Sequence, residues 1–233
     1  MKKMILLLLA LAYTTAFAQE STTAKKMPTR FQTVPFSQAQ IVQKGKDKLY
    51  CTRCGMTLPM FYKTNYAGDV NGTTEQYCSI HCLAESMSEH NVTNIKVVDT
   101  NTLKFIDAKS AWYVVGSKKA GTMSKVSKYA FSTKKDAEAF AKKFSGEIKS
   151  FDEVIKLVQA NLAKESGMIH KKQAMMAKKG KMMFTKMCKP VDKSFSSVAE
   201  AKAYIKTNDI CGNIKGKKLQ AIALYLNDRN STK

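Results

Sequence analysis

The sequence predicts an α+β fold: two ββαβ units forming one domain, followed by a small all-α domain at the C-terminal end. Three observations predict it. Short runs of strand-forming residues bounded by turn residues alternate with stretches of helical periodicity between residues 58 and 158. The order strand, strand, helix, strand occurs twice within that stretch, with little identity between the copies. After Gly167 the composition shifts to Lys and Met with helical spacing only, which places a domain boundary near residues 165–167.

The chain has 233 residues, of which 44% are hydrophobic, enough for a packed core in one large or two smaller domains. Residues 1–18 read as a signal peptide. Lys2 and Lys3 precede a short apolar run, and Ala16-Phe17-Ala18 has the small-x-small form of a cleavage site. That run is well short of the roughly 20 residues that span a bilayer, so a periplasmic mature protein that does not span the membrane is expected. Residues 19–45, with Pro28 and Pro35, read as a linker or an extended arm.

In the first unit, residues 60–63 and 74–77 read as strands around a turn-like 68–72 segment. Ser79 reads as the cap of a helix ending near Asn91, and 95–98 as a strand. In the second, residues 103–106 and 112–115 read as paired strands and 129–131 as another. Ser132 or Thr133 caps a helix carrying Ala137, Phe140, Ala141 and Phe144. Gly146 suits the position after that helix. Residues 148–151 read as a strand, and Asp152 as the cap of a helix reaching about Ala163. Two further helices are expected near 199–205 and 219–226.

The net charge is +21, falling by two once Lys2 and Lys3 are removed. In an exported protein, with Lys spread along the chain and not grouped as Arg among aromatics, nucleic acid is not the expected partner. The charge gives a soluble surface and can attract an acidic partner surface. No Gly-x-Ser-x-Gly, phosphate-binding Gly loop or His-Glu-x-x-His is present, and three histidines supply acid–base chemistry poorly. An enzyme is not expected.

The chemistry lies in sulfur. Cys51-x-x-Cys54-Gly55-Met56 is followed by Cys78-x-x-His81-Cys82. A turn holding Cys-x-x-Cys places two sulfurs within reach of one ion, and Gly55 permits the tight backbone. Cys78, His81 and Cys82 share one face if all three are helical, and a helix start favours thiolate at Cys82. Tetrahedral thiolate ligation suits Zn(II), whereas thiolate with thioether and imidazole suits Cu(I). Two structural disulfides also suit an oxidising compartment, and Cys-x-x-Cys occurs in thiol-disulfide oxidoreductases. Thirteen methionines include six between 168 and 187, which fit either a packed helix face or extra soft-metal ligands.

These pieces resemble the NosL-like accessory proteins of nitrous oxide reductase. The resemblance runs over about residues 48–158. It is carried by Cys51-Thr-Arg-Cys54-Gly-Met56, Trp112-Tyr-Val-Val-Gly-Ser117, Gly121-Thr-Met123, Tyr129-Ala-Phe-Ser132, Ala137-Glu-Ala-Phe140 and Gly146-Glu-Ile-Lys-Ser-Phe-Asp152. It implies an exported copper-binding domain, here about residues 46–165. Its role would be to supply Cu(I) to a copper enzyme or another metallochaperone. The candidate ligands are Cys51, Cys54, Cys78 and Cys82, with Met56, His81 and Met123. The sequence departs from the family at Gln19, where many members carry a lipid-anchored cysteine. It departs again at Met123-Ser-Lys125, where Lys replaces a histidine, and in having Cys78 and Cys82, which resemble TRASH or YHS modules.

Residues 166–233 resemble a degenerate cytochrome c. Residues 180–188 and 217–226 are similar to its opening and closing helices, but no Cys-x-x-Cys-His is present, so no haem is expected. Cys188 and Cys211 are then expected to form a disulfide worth about 3 kcal/mol.

Overall fold

A computed structural model describes residues 30–228. The signal peptide, the first part of the arm and the last five residues lie outside the described residues.

Two antiparallel sheets form the first part of the molecule. Strands β1 (Tyr66–Val70) and β2 (Thr73–Tyr77) make a hairpin whose two-residue turn, Asn71 and Gly72, has positive φ at both positions. That turn matches the right-handed twist of the strands and favours Asn-Gly. Helix α1 (Ile80–Glu89) follows, its N-cap Ser79 accepting the Cys82 N–H. Strands β3 (Val92–Val98) and β4 (Phe105–Asp107) complete a sheet of order β2-β1-β3-β4. The second sheet contains β5 (Trp112–Val115), β6 (Lys128–Phe131) and β7 (Glu147–Lys149), in the order β6-β5-β7. Helix α2 (Lys134–Phe144), capped by Thr133, lies between β6 and β7 in sequence. A parallel bridge between Asp99 and Ala130 joins the sheets. The buried Asp99 carboxylate accepts from Ser132 (3.0 Å) and Thr102 (2.8 Å) on one oxygen and from the Asn101 N–H (3.1 Å) on the other, which satisfies both at that seam.

Two local expectations are corrected. Residues 60–63 are not a strand but part of a 3-10 helix, Leu58–Thr64. Pro59, at its start, cannot donate to a sheet ladder. The buried positions Leu58, Pro59 and Tyr62 follow helical spacing. Nor do 103–106 and 112–115 pair: β4 pairs with β3 and β5 with β6, so they belong to different sheets.

The third helix, α3 (Phe151–Met187), was expected to end near Ala163 and instead runs for 37 residues, about 55 Å at 1.5 Å per residue. Its cap is Ser150, in a reciprocal capping box with Glu153, not Asp152. No proline interrupts it. Gly167 costs only about 1 kcal/mol, which packing at both ends offsets, and the helix's other glycine, Gly180, lies against α5. Phe151, Val154, Ile155 and Val158 enter the core of the sheets, while Ala177 joins a second core with α4 (Val198–Thr207) and α5 (Gly216–Asp228). The place read as a domain boundary is therefore the middle of a continuous helix. Cys188 and Cys211 are disulfide-bonded, as expected, tying the end of α3 to the loop after α4.

Of the arm, residues 30–45 pack onto the sheets. Val34 and the side chains of Gln32 and Gln43 are buried. Gln43 donates to the Tyr50 carbonyl (2.7 Å) and accepts the Gln76 N–H (2.7 Å), bracing the segment that leads into Cys51 against β2.

Candidate metal centre

The segment after Tyr50 folds back tightly: the Cys51 N–H donates to the Met56 carbonyl (2.8 Å) and the Gly55 N–H to the Cys51 carbonyl (2.9 Å). Gly55 sits at φ +70°, and a Cβ there would lie 2.8 Å from Cβ of Val198. Glycine is thus required twice, by the turn and by the close approach of α4. Within the same turn, Arg53 makes a two-pronged contact with Glu89 (2.8 Å on one arm), fixing the knuckle against the end of α1.

Cys78 follows β2 directly and Cys82 lies in the first turn of α1, so the hairpin and the helix start deliver the second pair of sulfurs. Cys78 itself is not helical, because Ser79, as N-cap, is extended. The shared helical face expected for residues 78, 81 and 82 is therefore reduced to the start of α1.

The four cysteines are free and buried, and their sulfurs all lie within 4.8 Å of one another. Cys54 Sγ is 3.5 Å from Cys78 Sγ, which is 3.7 Å from Cys82 Sγ. A regular tetrahedron with metal–sulfur bonds of about 2.3 Å has edges of about 3.8 Å, so the spacing fits a single ion. Among the described residues, this is the group of His, Cys, Asp and Glu able to hold a metal.

The protons are shared unequally. Burial pushes the Cys51 thiol up. Donation from the thiols of Cys54, Cys78 and Cys82, and from the Cys54 backbone, overcomes this and holds Cys51 well below its ordinary value. Cys78 and Cys82 are driven well above theirs, chiefly by hydrogen bonding to Cys51 and Cys54. Hydrogen bonding therefore favours thiolate at Cys51, and not at Cys82 as expected. Four sulfurs compete for one negative charge, and Ser79 already takes the Cys82 N–H. An arriving cation displaces protons from the others.

His81 does not join the sulfurs. It lies one residue before Cys82, about 100° around the helix, and faces α3. Its Nε2 is 3.2 Å from Glu85 Oε1 and 3.3 Å from Ser166 Oγ, and its Nδ1 is 3.5 Å from Glu165 Oε2. Met56 and Met123 pack, half-buried, against the same core as the cysteines. Thr64 Oγ1 links the Met123 loop to the centre, lying 2.9 Å from the Cys78 carbonyl and 2.8 Å from Thr122 Oγ1.

No motif or spacing marks Lys202. On α4, and only 2% exposed, its Nζ donates to the Gly55 carbonyl and lies 4.8 Å from the centre of the Tyr50 ring. Burial pulls its pKa down to about 8, opposed by the attraction of Cys54, Cys51 and Cys78. Gln220 on α5 donates to the Cys54 carbonyl (2.9 Å). In the sequence, Lys202 is one lysine among many, and only the small Ala201 and Ala203 flanking it hint at close approach.

Fold and site together define a class: an α+β protein with a closed four-sulfur centre able to hold a metal ion. Within that class, residues 42–159, half of the chain, match the family profile described as NosL, and the chain belongs to the NosL family. The family is not enzymatic. The crystal structure of the copper chaperone NosL from Shewanella denitrificans is similar at 29% identity, covering 51% of this chain and 96% of that one, with a TM-score of 0.40. A search of curated proteins finds no match. Among the described residues, no helix is long and apolar enough to cross a membrane.

Proposed function

We propose that this chain is an exported Cu(I) chaperone that carries the ion on Cys51, Cys54, Cys78 and Cys82 and releases it to a periplasmic copper enzyme, nitrous oxide reductase or another. The observation that carries this reading is the convergence of four free, buried sulfurs within 4.8 Å in a NosL-family chain. Thioethers beside the thiolates favour a soft monovalent ion. Met56 and Met123 are the ligands available for exchange at one side of the centre. His81 orients α1 against α3 and is not a ligand in this reading. The two ββαβ units act together as the metal-binding domain, and the basic surface steers the protein to an acidic acceptor.

Chemically, the centre trades protons for the ion. Cys51 supplies a thiolate at the outset, and each further thiol that binds releases a proton. Lys202 offsets the negative charge that the thiolates build beside the Gly55 carbonyl.

A second reading, a structural Zn(II) site, is favoured by one observation: an all-cysteine, fully buried ligand set is the pattern of closed zinc sites. A thiol-disulfide oxidoreductase is less well supported, because Cys54 leads into a 3-10 turn and not a long helix, and all four cysteines are buried. The test is an anaerobic titration of the reduced mature protein with Cu(I) and with Zn(II), each against a competing chelator. The expected result is one tight Cu(I), transferable to an acceptor, and loss of affinity by more than about a hundredfold in Cys51→Ser/Cys54→Ser, beyond the usual effect of outer-shell changes. Tighter retention of Zn(II), or tight Cu(I) binding that survives the double change, defeats the reading.

A further inference from the structure

Six of the thirteen methionines lie on the second half of α3, and packing accounts for only some of them. Met176 and Met183 sit against the C-terminal core. Met168, Met175 and Met182, at intervals of seven, are exposed, so this stripe is turned outward and is not a packed face. Met168 and Met176 share a further property that Met175 and Met182 lack: they line a groove of about 610 Å³ together with Cys54, Met56 and Met123. The groove thus brings one cysteine and four methionines into a common lining that is open to solvent. Ser124 Oγ donates to Glu165 Oε1 (2.7 Å), holding the Met123 loop against α3.

We propose that this groove is a second Cu(I) site, built by the thioethers of Met168 and Met176 together with Met56 and Met123, through which the ion passes between Cys54 and the surface. The proposal rests on the Cu(I) chaperone reading. It adds residues of α3 that lie beyond the segment matched to the family. Thioethers are soft, neutral and stable in an oxidising compartment, and they bind less firmly than thiolates, which suits a transit position. Glu165 is the carboxylate in the groove, and it is already engaged by Ser124. Lys125, Lys164 and Lys172 also line it, a setting that opposes hard divalent cations and leaves sulfur bonding as the source of affinity. The transfer is redox-neutral. As the ion moves, the copper–thiolate bonds break in turn as copper–thioether bonds form, the ion stays Cu(I), and each vacated thiolate takes a proton from water.

The experiment uses reduced mature protein labelled at the methionine methyl groups, titrated anaerobically with Cu(I) past one equivalent and followed by NMR. After the tight first equivalent, the methyl signals of Met168 and Met176 are expected to shift with those of Met56 and Met123. Those of Met175 and Met182, on the same helix, are expected to stay. In Met168→Leu/Met176→Leu, which conserves volume, the second dissociation constant is expected to rise at least about tenfold, with the first unchanged. Static Met168 and Met176 signals, or unaltered second-site affinity in the variant, overturn the proposal. Absence of the tight first equivalent alongside moving Met168 and Met176 signals defeats the four-thiol reading while upholding the groove, so the two failures are told apart.

Discussion

The sheet region and the C-terminal helical region differ in how they use their sulfur. The sheets hold four cysteines free and in mutual contact, while the helices lock their two into a disulfide. The contrast follows from backbone geometry. Cys51 and Cys54 sit on a knuckle and Cys78 and Cys82 flank a helix cap, so each pair meets the other around a point. Cys188 and Cys211 instead close the end of α3 onto a loop and, among the described residues, belong to no group of three or more His, Cys, Asp or Glu able to hold a metal. The helical region is nevertheless part of the centre, because Val198, Lys202 and Gln220 all bear on the Cys54–Gly55 peptide segment. Residues outside the family-matched segment therefore help shape a site whose ligands lie within it.

That comparison is broken most severely at Gly180. A Cβ there collides with the Ala221 backbone, where α3 and α5 touch. Gly180→Leu is expected to cost about 3 kcal/mol or more through overpacking and to melt the helical region. Thermal unfolding should then show a lower or split transition. If the helical cover supports the centre, Cu(I) affinity falls as well. Unchanged affinity would mean that the sheets suffice.

Removing the disulfide is the gentler version. Cys188→Ala/Cys211→Ala opens a loop of sequence separation 23, worth about 3 kcal/mol on the chain-entropy argument, without a new clash. Denaturant unfolding should register that loss while the Cu(I) stoichiometry of the tight site stays as in wild type. A change in stoichiometry would show that Cys188 and Cys211 take part in binding.

Much of this was legible beforehand where local chemistry decides the outcome. Ser79 and the Cys-x-x-Cys turn announce their structures by residue type, and the Asn71-Gly72 hairpin lies inside the segment read as turn-like. The elements misread are those decided by distant packing. Residues 60–63 have strand-like composition but are held as a 3-10 turn by Pro59 and by Tyr62, whose hydroxyl accepts from the Gln40 N–H and donates to the Leu103 carbonyl. β4 joined β3 because sheet membership is a long-range choice that strand propensity does not encode. α3 ran on through Gly167 because partners at both of its ends hold it, a fact absent from the local pattern. Within the site, the four cysteines were legible from spacing. His81, one residue before Cys82 on α1, is turned about 100° away toward Glu85, Glu165 and Ser166, contacts that spacing does not encode. Lys202 was nearly silent, since little beyond the flanking alanines separates a buried lysine from a solvated one in the sequence.

Lys202 gives the smallest and most specific test of the link between the regions. Its folded pKa, about 8, lies below the ordinary lysine value of 10.5. The unfolded chain therefore binds more protons than the folded one between those two values, and stability rises with pH across that window. The contribution is complete above 10.5 and is lost as pH falls through 8. Lys202→Met removes this pH dependence along with the bond to Gly55. The difference in melting temperature between wild type and variant, measured from pH 7 to pH 10.5 on metal-free protein, should therefore move in favour of wild type as pH rises. Taking the difference cancels the titration of the cysteines to the extent that it is common to both proteins. With the ion bound, the variant should release Cu(I) to a chelator several-fold faster, since the thiolates lose their buried counter-charge. A flat difference curve would place the Lys202 ammonium in water, and with it the helical region away from the knuckle.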